Sequence, residues 1–397
     1  MQINEPKQSS TVDNQMSLFS LGFRIFFLAA GIFAVASLSL WAVLLQFNIP
    51  FSFGVLSNVQ WHAHEMIFGY SASVIAGFLL TAVKNWTNVK AVSGKWLAAV
   101  FSLWLAARLS LIIIPEYLYI SVFFDMLFLL TLLLCIAYPI FKVRQWNQSI
   151  ILIILGLLVI FNGLFYAGAF GYLTKGIQWG LYGGLYLVIG LILLMGRRVI
   201  PFFIEKGVGN NIKLTNYMFI DSSIVILFFI FIISDVFLNN NLVSAIACFG
   251  LFIANVIRLY GWHTIGIWNK SMLWGLYIAM CFICFGFLLM SLIYYMGVFK
   301  LLAIHAFAVG GIGMVTMSMM SRVALGHSGR DVSRPPKAIP YALIILILAG
   351  LTRVLPPIFS DSNYFIWIGI SQLLWILAFA IFTITYTPIL WKPSAGC

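Results

Sequence analysis

Val59-Gln60-Trp61-His62-Ala63-His64-Glu65-Met66-Ile67-Phe68-Gly69-Tyr70-Ser71-Ala72-Ser73-Val74-Ile75-Ala76-Gly77-Phe78-Leu79-Leu80-Thr81-Ala82-Val83 carries ionisable groups only near its start, at His62, His64 and Glu65. At 1.5 Å per helical residue the run is long enough to cross a hydrocarbon core of about 30 Å. Charged groups are costly at that depth, so their presence inside an apolar helix points to function before it points to packing. The chain has only 5 histidines. A third of interest, His305, opens another apolar run, His305-Ala306-Phe307-Ala308-Val309-Gly310.

The rest of the chain reads the same way. Of its 397 residues, 63% are hydrophobic and 8% charged, with a mean hydropathy of +1.06. Soluble domains carry roughly a quarter charged residues, so a soluble globule is excluded. Lipid admits only helices or closed barrels. Apolar runs of helical length, rather than short alternating strands, exclude the barrel. The net charge of +12 does not indicate nucleic acid here, because the cations sit in short links between apolar runs. The 5 cysteines are scattered and imply no disulfide framework. Residues 1–20 read as a polar cytoplasmic tail with no apolar signal core.

The pattern predicts an all-α polytopic membrane protein of about twelve spans, near 22–47, 59–83, 96–114, 117–140, 149–173, 177–195, 215–237, 242–264, 273–297, 299–323, 338–359 and 365–390. Links rich in Lys and Arg alternate with links nearly free of them, which places both termini in the cytoplasm. Residues 1–397 form one integral domain, with 196–215 read as a cytoplasmic loop between two six-helix halves. Its apolar run Val199-Ile200-Pro201-Phe202-Phe203 suggests a segment lying in the interface. Asn85-Trp86-Thr87 matches a glycosylation sequon but falls on the cytoplasmic side, and is set aside.

This topology puts His62, His64 and His305 roughly 5–9 Å below the outer surface, in one layer. Two facing imidazoles suit a six-coordinate haem, and His64 with His305 is the first pairing to consider. His62 and His64 diverge by about 200° around a helix, so one partner cannot serve both. Glu65, three residues after His62, shares its face and is placed to orient it or to carry protons. The competing reading is that these groups simply pair with one another. Gly310 and Gly311 let either a porphyrin or a neighbouring helix approach. Arg108 and Asp125 lie near the same layer; Arg108 suits a haem propionate or an ion pair with Asp125 or Glu65. Met314, Met317, Met319 and Met320, and the Cys281/Cys284 pair, read mainly as packing, with copper or redox chemistry the lesser alternative. At the cytoplasmic end, Arg322, His327 and Arg330 read as anchoring groups, or as an anion or lipid-headgroup site.

Several blocks together resemble the NnrS family: Phe23-Arg24-Ile25-Phe26-Phe27, Trp61 to Tyr70, Ala76 to Val83, Asn85-Trp86-Thr87, Arg197 to Phe203, His305 to Gly310 and Ser321 to His327. The resemblance implies a bacterial inner-membrane protein of about twelve spans containing haem and copper. It implies a role in nitric oxide metabolism and tolerance of nitrosative stress, with the histidines of spans 2 and 10 as the leading candidates for metal ligands. One departure touches copper more than haem. The family pattern has a histidine after Leu-Trp-x-Leu, where this chain has Tyr277 after Leu273-Trp274-Gly275-Leu276. The histidine placement is also similar to the low-spin haem site in the large subunit of haem–copper oxidases, an analogy only. Residues 177–237 contain no histidine, which disfavours a conventional oxygen- or NO-reducing centre.

The expected function is NO binding or electron transfer at a histidine-ligated haem near the outer face, with NO or an electron donor as partner beside the lipid bilayer. Bis-histidine ligation favours electron transfer over rapid NO turnover, and the residues leave catalysis undecided. The alternative is a transporter or channel for a metal, anion or small metabolite, using Glu65, Arg108 and Asp125 in a polar cavity.

Overall fold

The computed structural model describes residues 17–209, 212–359 and 363–394. The first sixteen residues of the expected polar tail lie outside that range. Among the described residues twelve helices are long and apolar enough to cross a membrane. They are α1 (Gly22–Gln46), α2 (Asn58–Thr87), α3 (Lys95–Ile113), α4 (Pro115–Lys142), α5 (Trp146–Ala169), α6 (Gly176–Val208), α7 (Met218–Leu238), α8 (Asn241–Trp262), α9 (Ser271–Met296), α10 (Lys300–His327), α11 (Ala338–Phe359) and α12 (Tyr364–Trp391). Among the described residues there is no strand, only an isolated bridge between Phe53 and Leu56.

One boundary is corrected. The loop expected over 196–215 is helical as far as Val208, because α6 runs unbroken from Gly176. Arg197 and Arg198 look like the end of a span, since charges avoid hydrocarbon. Here their charges are satisfied while the helix continues. Arg197 Nε lies 2.5 Å from Asp221 of α7, and Arg198 donates to Gln148 at 3.2 Å. The apolar run 199–203 is thus part of α6, not a separate interfacial segment.

α2 and α10 form the centre. Over their most apolar stretches 83% and 67% of residues are buried, against 39% for α3, α4, α5, α7 and α12. Tyr70 and Thr316 join them through hydroxyls 2.6 Å apart. Arg24 of α1 donates to Leu390 O at 2.9 Å, near the end of α12, and to Lys392 O at 2.6 Å just past it, which ties the first span to the last. α5 and α6 pack closely because Gly176, Gly180 and Gly183 face α5. A Cβ at Gly180 would stand 2.5 Å from Phe165 Cβ, and one at Gly183 only 2.2 Å from the Phe161 ring. This approach holds the inner face of α5 against α2.

α2 and α10 share a local feature. Each passes into π-helical turns just beyond its histidine, at Glu65–Ser71 after His64 and at Ala306–Gly313 after His305. Such turns widen the helix and redirect the side chains that follow, and they recur at functional sites. α7 carries a third, Ile233–Leu238.

Candidate functional site

The two histidines of α2 enter different environments. His64 is fully buried and meets α4 and α5. Its Nδ1 lies 3.0 Å from Glu65 Oε1, and its Nε2 lies 2.9 Å from Asn162 Oδ1 and 3.5 Å from Asp125 Oδ2. Asn162 is oriented by its own amide, which donates to Asp125 Oδ2 at 2.8 Å. Both ring nitrogens of His64 therefore face oxygen atoms, the Glu65 carboxyl on one side and the Asn162 amide on the other. Phe165 stacks on it, centroids 4.5 Å apart.

Arg108 completes the group. It bonds Asp125 and lies 3.3 Å from Glu65 Oε1, and Tyr166 donates to Asp125 Oδ2 at 3.0 Å. Arg108 thus sits between the two buried carboxyl groups, and His64 touches both of them. Glycine at position 69 makes room: a Cβ there would lie 2.9 Å from Arg108 Nη1. Sequence reasoning named Glu65, Arg108 and Asp125 and allowed that they pair. It missed Asn162 and Tyr166. It also turned Glu65 toward His62, whereas Glu65 meets His64 and Arg108, at the point where the α2 backbone passes from α- to π-helical bonding.

His62 points away from this group. Its ring lies parallel to Trp41 of α1, and its Nδ1 is buried without a hydrogen-bond partner. His305 of α10 donates from Nδ1 to Leu301 O at 2.6 Å, which leaves Nε2 as the acceptor facing Arg353 Nη2 at 3.5 Å. Arg353 of α11 is 6% exposed and also donates to Tyr364 at 3.3 Å. Its Nη1 has no partner. The charge of Arg353 acts on both histidines, and His62 and His305 lie within electrostatic reach of each other. His62 and His305 thus share the neighbourhood of Arg353, while the polar contacts of His64 run to Glu65, Asn162 and Asp125. Arg353 was missed, although an arginine inside an apolar span is a signal readable in the sequence.

The other expected positions fall mostly to packing. A Cβ on Gly310 would stand 2.1 Å from the Phe282 ring, and one on Gly311 would stand 2.8 Å from Ile283. α9 side chains fill the space a porphyrin would need beside them, so these glycines serve helix contact. Met314, Met317 and Met320 are fully buried in the core. Cys284 is buried and Cys281 is exposed on the outside of α9. Tyr277 donates to Leu259 O at 3.2 Å and packs against His263. At the far end, Arg322 stacks on Phe203, 3.9 Å to the centroid, and His327 meets Phe23. Arg330 keeps one buried nitrogen, Nη1, without a partner. Among the described residues no three His, Cys, Asp or Glu side chains form a group that could hold a metal ion.

These features define a polytopic membrane protein whose two central helices present histidines to two separate polar sites inside the bundle. The family model described as NnrS protein matches residues 17–394, and the chain belongs to the NnrS family. Membership fits a membrane protein of the nitric oxide response. No curated protein sequence matches the chain.

Proposed function

We propose that the protein is a haem-containing inner-membrane protein of the nitric oxide response, with the haem held by His62 and His305 near the outer face. The observation that carries this is a pair of buried nitrogens without hydrogen-bond partners, His62 Nδ1 and Arg353 Nη1, beside His305 Nε2, whose one contact is Arg353 Nη2 at 3.5 Å. An unpaired buried polar group is costly, and two beside a weakly held imidazole suit a ligand. A bound haem supplies a redox-active iron for NO binding or electron transfer. Each residue has a separate task. Trp41 fixes the His62 ring plane, and Leu301 O fixes the tautomer of His305. Arg353 offers a charge-assisted bond to a carboxylate.

His64 is not carried forward as a haem ligand, since both its ring nitrogens face Glu65 and Asn162; Arg108 keeps its charge on Asp125 and Glu65, although its Nε and Nη1 make no hydrogen bond. They brace α2 instead. Copper is not carried forward either, for want of a donor group of the needed composition among the described residues. The transport reading weakens for a related reason: Glu65, Arg108 and Asp125 are sealed in a closed network, at 2%, 2% and 0% exposure.

The test is the optical spectrum of purified protein, oxidised and dithionite-reduced. Sharp reduced haem bands are expected in the wild type, lost in His62→Ala and in His305→Ala. Haem-free protein, despite haem supply during expression, would overturn the reading.

A further inference from the structure

A cavity with a volume of about 510 Å³ lies at the basic end of the bundle, away from His62 and His305. Lys206 at the end of α6, Lys270 at the start of α9 and Arg322 near the end of α10 all line it. Asn269, Ser271 and Ser333 add polar groups. Among the described residues none of the three cations has a carboxylate within ion-pair distance. The neighbouring acids are engaged elsewhere. Asp331 accepts from Ser333 N at 2.7 Å and faces Arg334, though its charge still reaches Lys270, and Glu205 accepts from Leu214 N at 2.9 Å. Arg322 spends its face on Phe203, which leaves its N–H donors for other partners.

We infer that this cavity binds an anionic phosphate group. Three cations line one cavity with no carboxylate in ion-pair contact, so an anion entering between them gains from all three charges. The first turn of the 26-residue helix α9 opens into the same cavity with no side-chain cap, so the positive end of the helix adds to the attraction. The volume is within the range of small-ligand sites, about 300–1,000 Å³. All three cations lie in or near the terminal turns of membrane-spanning helices, the depth at which phospholipid phosphates sit. An acidic phospholipid headgroup and a soluble phosphate share this chemistry. The site is independent of the haem reading, as it shares no residue with His62, His305 or Arg353.

The test uses the purified full-length protein in neutral detergent and reads thermal unfolding during titration. One arm adds phosphatidylglycerol against a phosphatidylcholine control, and the other adds inorganic pyrophosphate. The variants are Lys270→Gln and Arg322→Gln, with Lys142→Gln as a basic-end control outside the cavity. Removal of each cavity charge should raise the half-saturating ligand concentration about fivefold, with Lys142→Gln like wild type. A response to phosphatidylglycerol identifies a lipid headgroup, and one to pyrophosphate alone identifies a soluble phosphate. Lys270 is partly exposed, so Lys270→Gln keeps the test open if Arg322→Gln fails to fold. No stabilisation in either arm, or equal losses in all three variants, would overturn the site.

Discussion

Trp41 and His62 lie face to face, with ring centroids 4.8 Å apart and planes 7° from parallel. The stack turns His62 toward α1 and away from the network that holds His64. An aromatic pair of this kind contributes about 1 kcal/mol beyond its buried area. Trp41→Leu should therefore fold but hold His62 less firmly, with weaker or broadened reduced haem bands in the optical spectrum. Bands identical to wild type would remove Trp41 as a positioning residue.

Asp125 carries the largest share of the buried network, with contacts to Arg108, His64, Asn162 and Tyr166. Asp125→Leu leaves Arg108 buried without its main counter-ion. Removing one partner of a buried pair costs about 3–5 kcal/mol. Arg108→Met alone leaves Asp125 without its cation and a similar loss. The double variant Arg108→Met/Asp125→Leu removes the pair as a unit, with His64 and Glu65 still in contact, and should recover much of the stability. Unfolding midpoints of the four proteins in detergent check this, and additive losses in the double variant would contradict the pairing.

Gly69 and Gly156 separate packing from helix propensity. A Cβ at Gly69 would meet Phe33 Cε1 at 2.8 Å and Arg108 Nη1 at 2.9 Å, while nothing stands within 4 Å of one at Gly156. Gly69→Ala should destabilise by about 1–3 kcal/mol through overpacking and a displaced guanidinium. Gly156→Ala should be neutral or stabilising by up to about 1 kcal/mol, as alanine is the better helix former. Thermal midpoints that rank the two the other way would show that the approach of Arg108 to α2 does not depend on Gly69.

The spans were legible because apolar length alone settles them, and eleven of the twelve end within a few residues of where hydropathy puts them. α6 was the exception. Arg197-Arg198 looks like a helix end until Asp221 and Gln148, both distant in sequence, are seen to satisfy the pair. At the site, helical geometry alone separates His62 from His64. It could not say which partner each takes, because the π-helical turns after His64 depart from the regular 100° spacing on which the Glu65 expectation rested. Asn162 and Tyr166 carry no sequence signal of their own. They matter only because the glycines of α6 hold α5 against α2. Arg353 was visible by the same rule that selected Arg108, as a cation inside an apolar run.

Arg353 gives the most direct electrical test of the outer site. Its charge acts on both His62 and His305, and no carboxylate pairs with it among the described residues. A fixed positive charge favours the reduced state of a nearby iron, since reduction removes positive charge there. Arg353→Gln keeps a polar, hydrogen-bonding side chain, though a shorter one, and removes the charge. The haem midpoint potential should fall, by an amount on the order of tens of millivolts at a partly screened site. His305 keeps its tautomer through Leu301 O, so the reduced bands should persist at nearly unchanged positions. Redox titration with optical readout measures both quantities in one experiment. A potential unchanged by the substitution would place the haem away from Arg353, and so away from the His62–His305 pair.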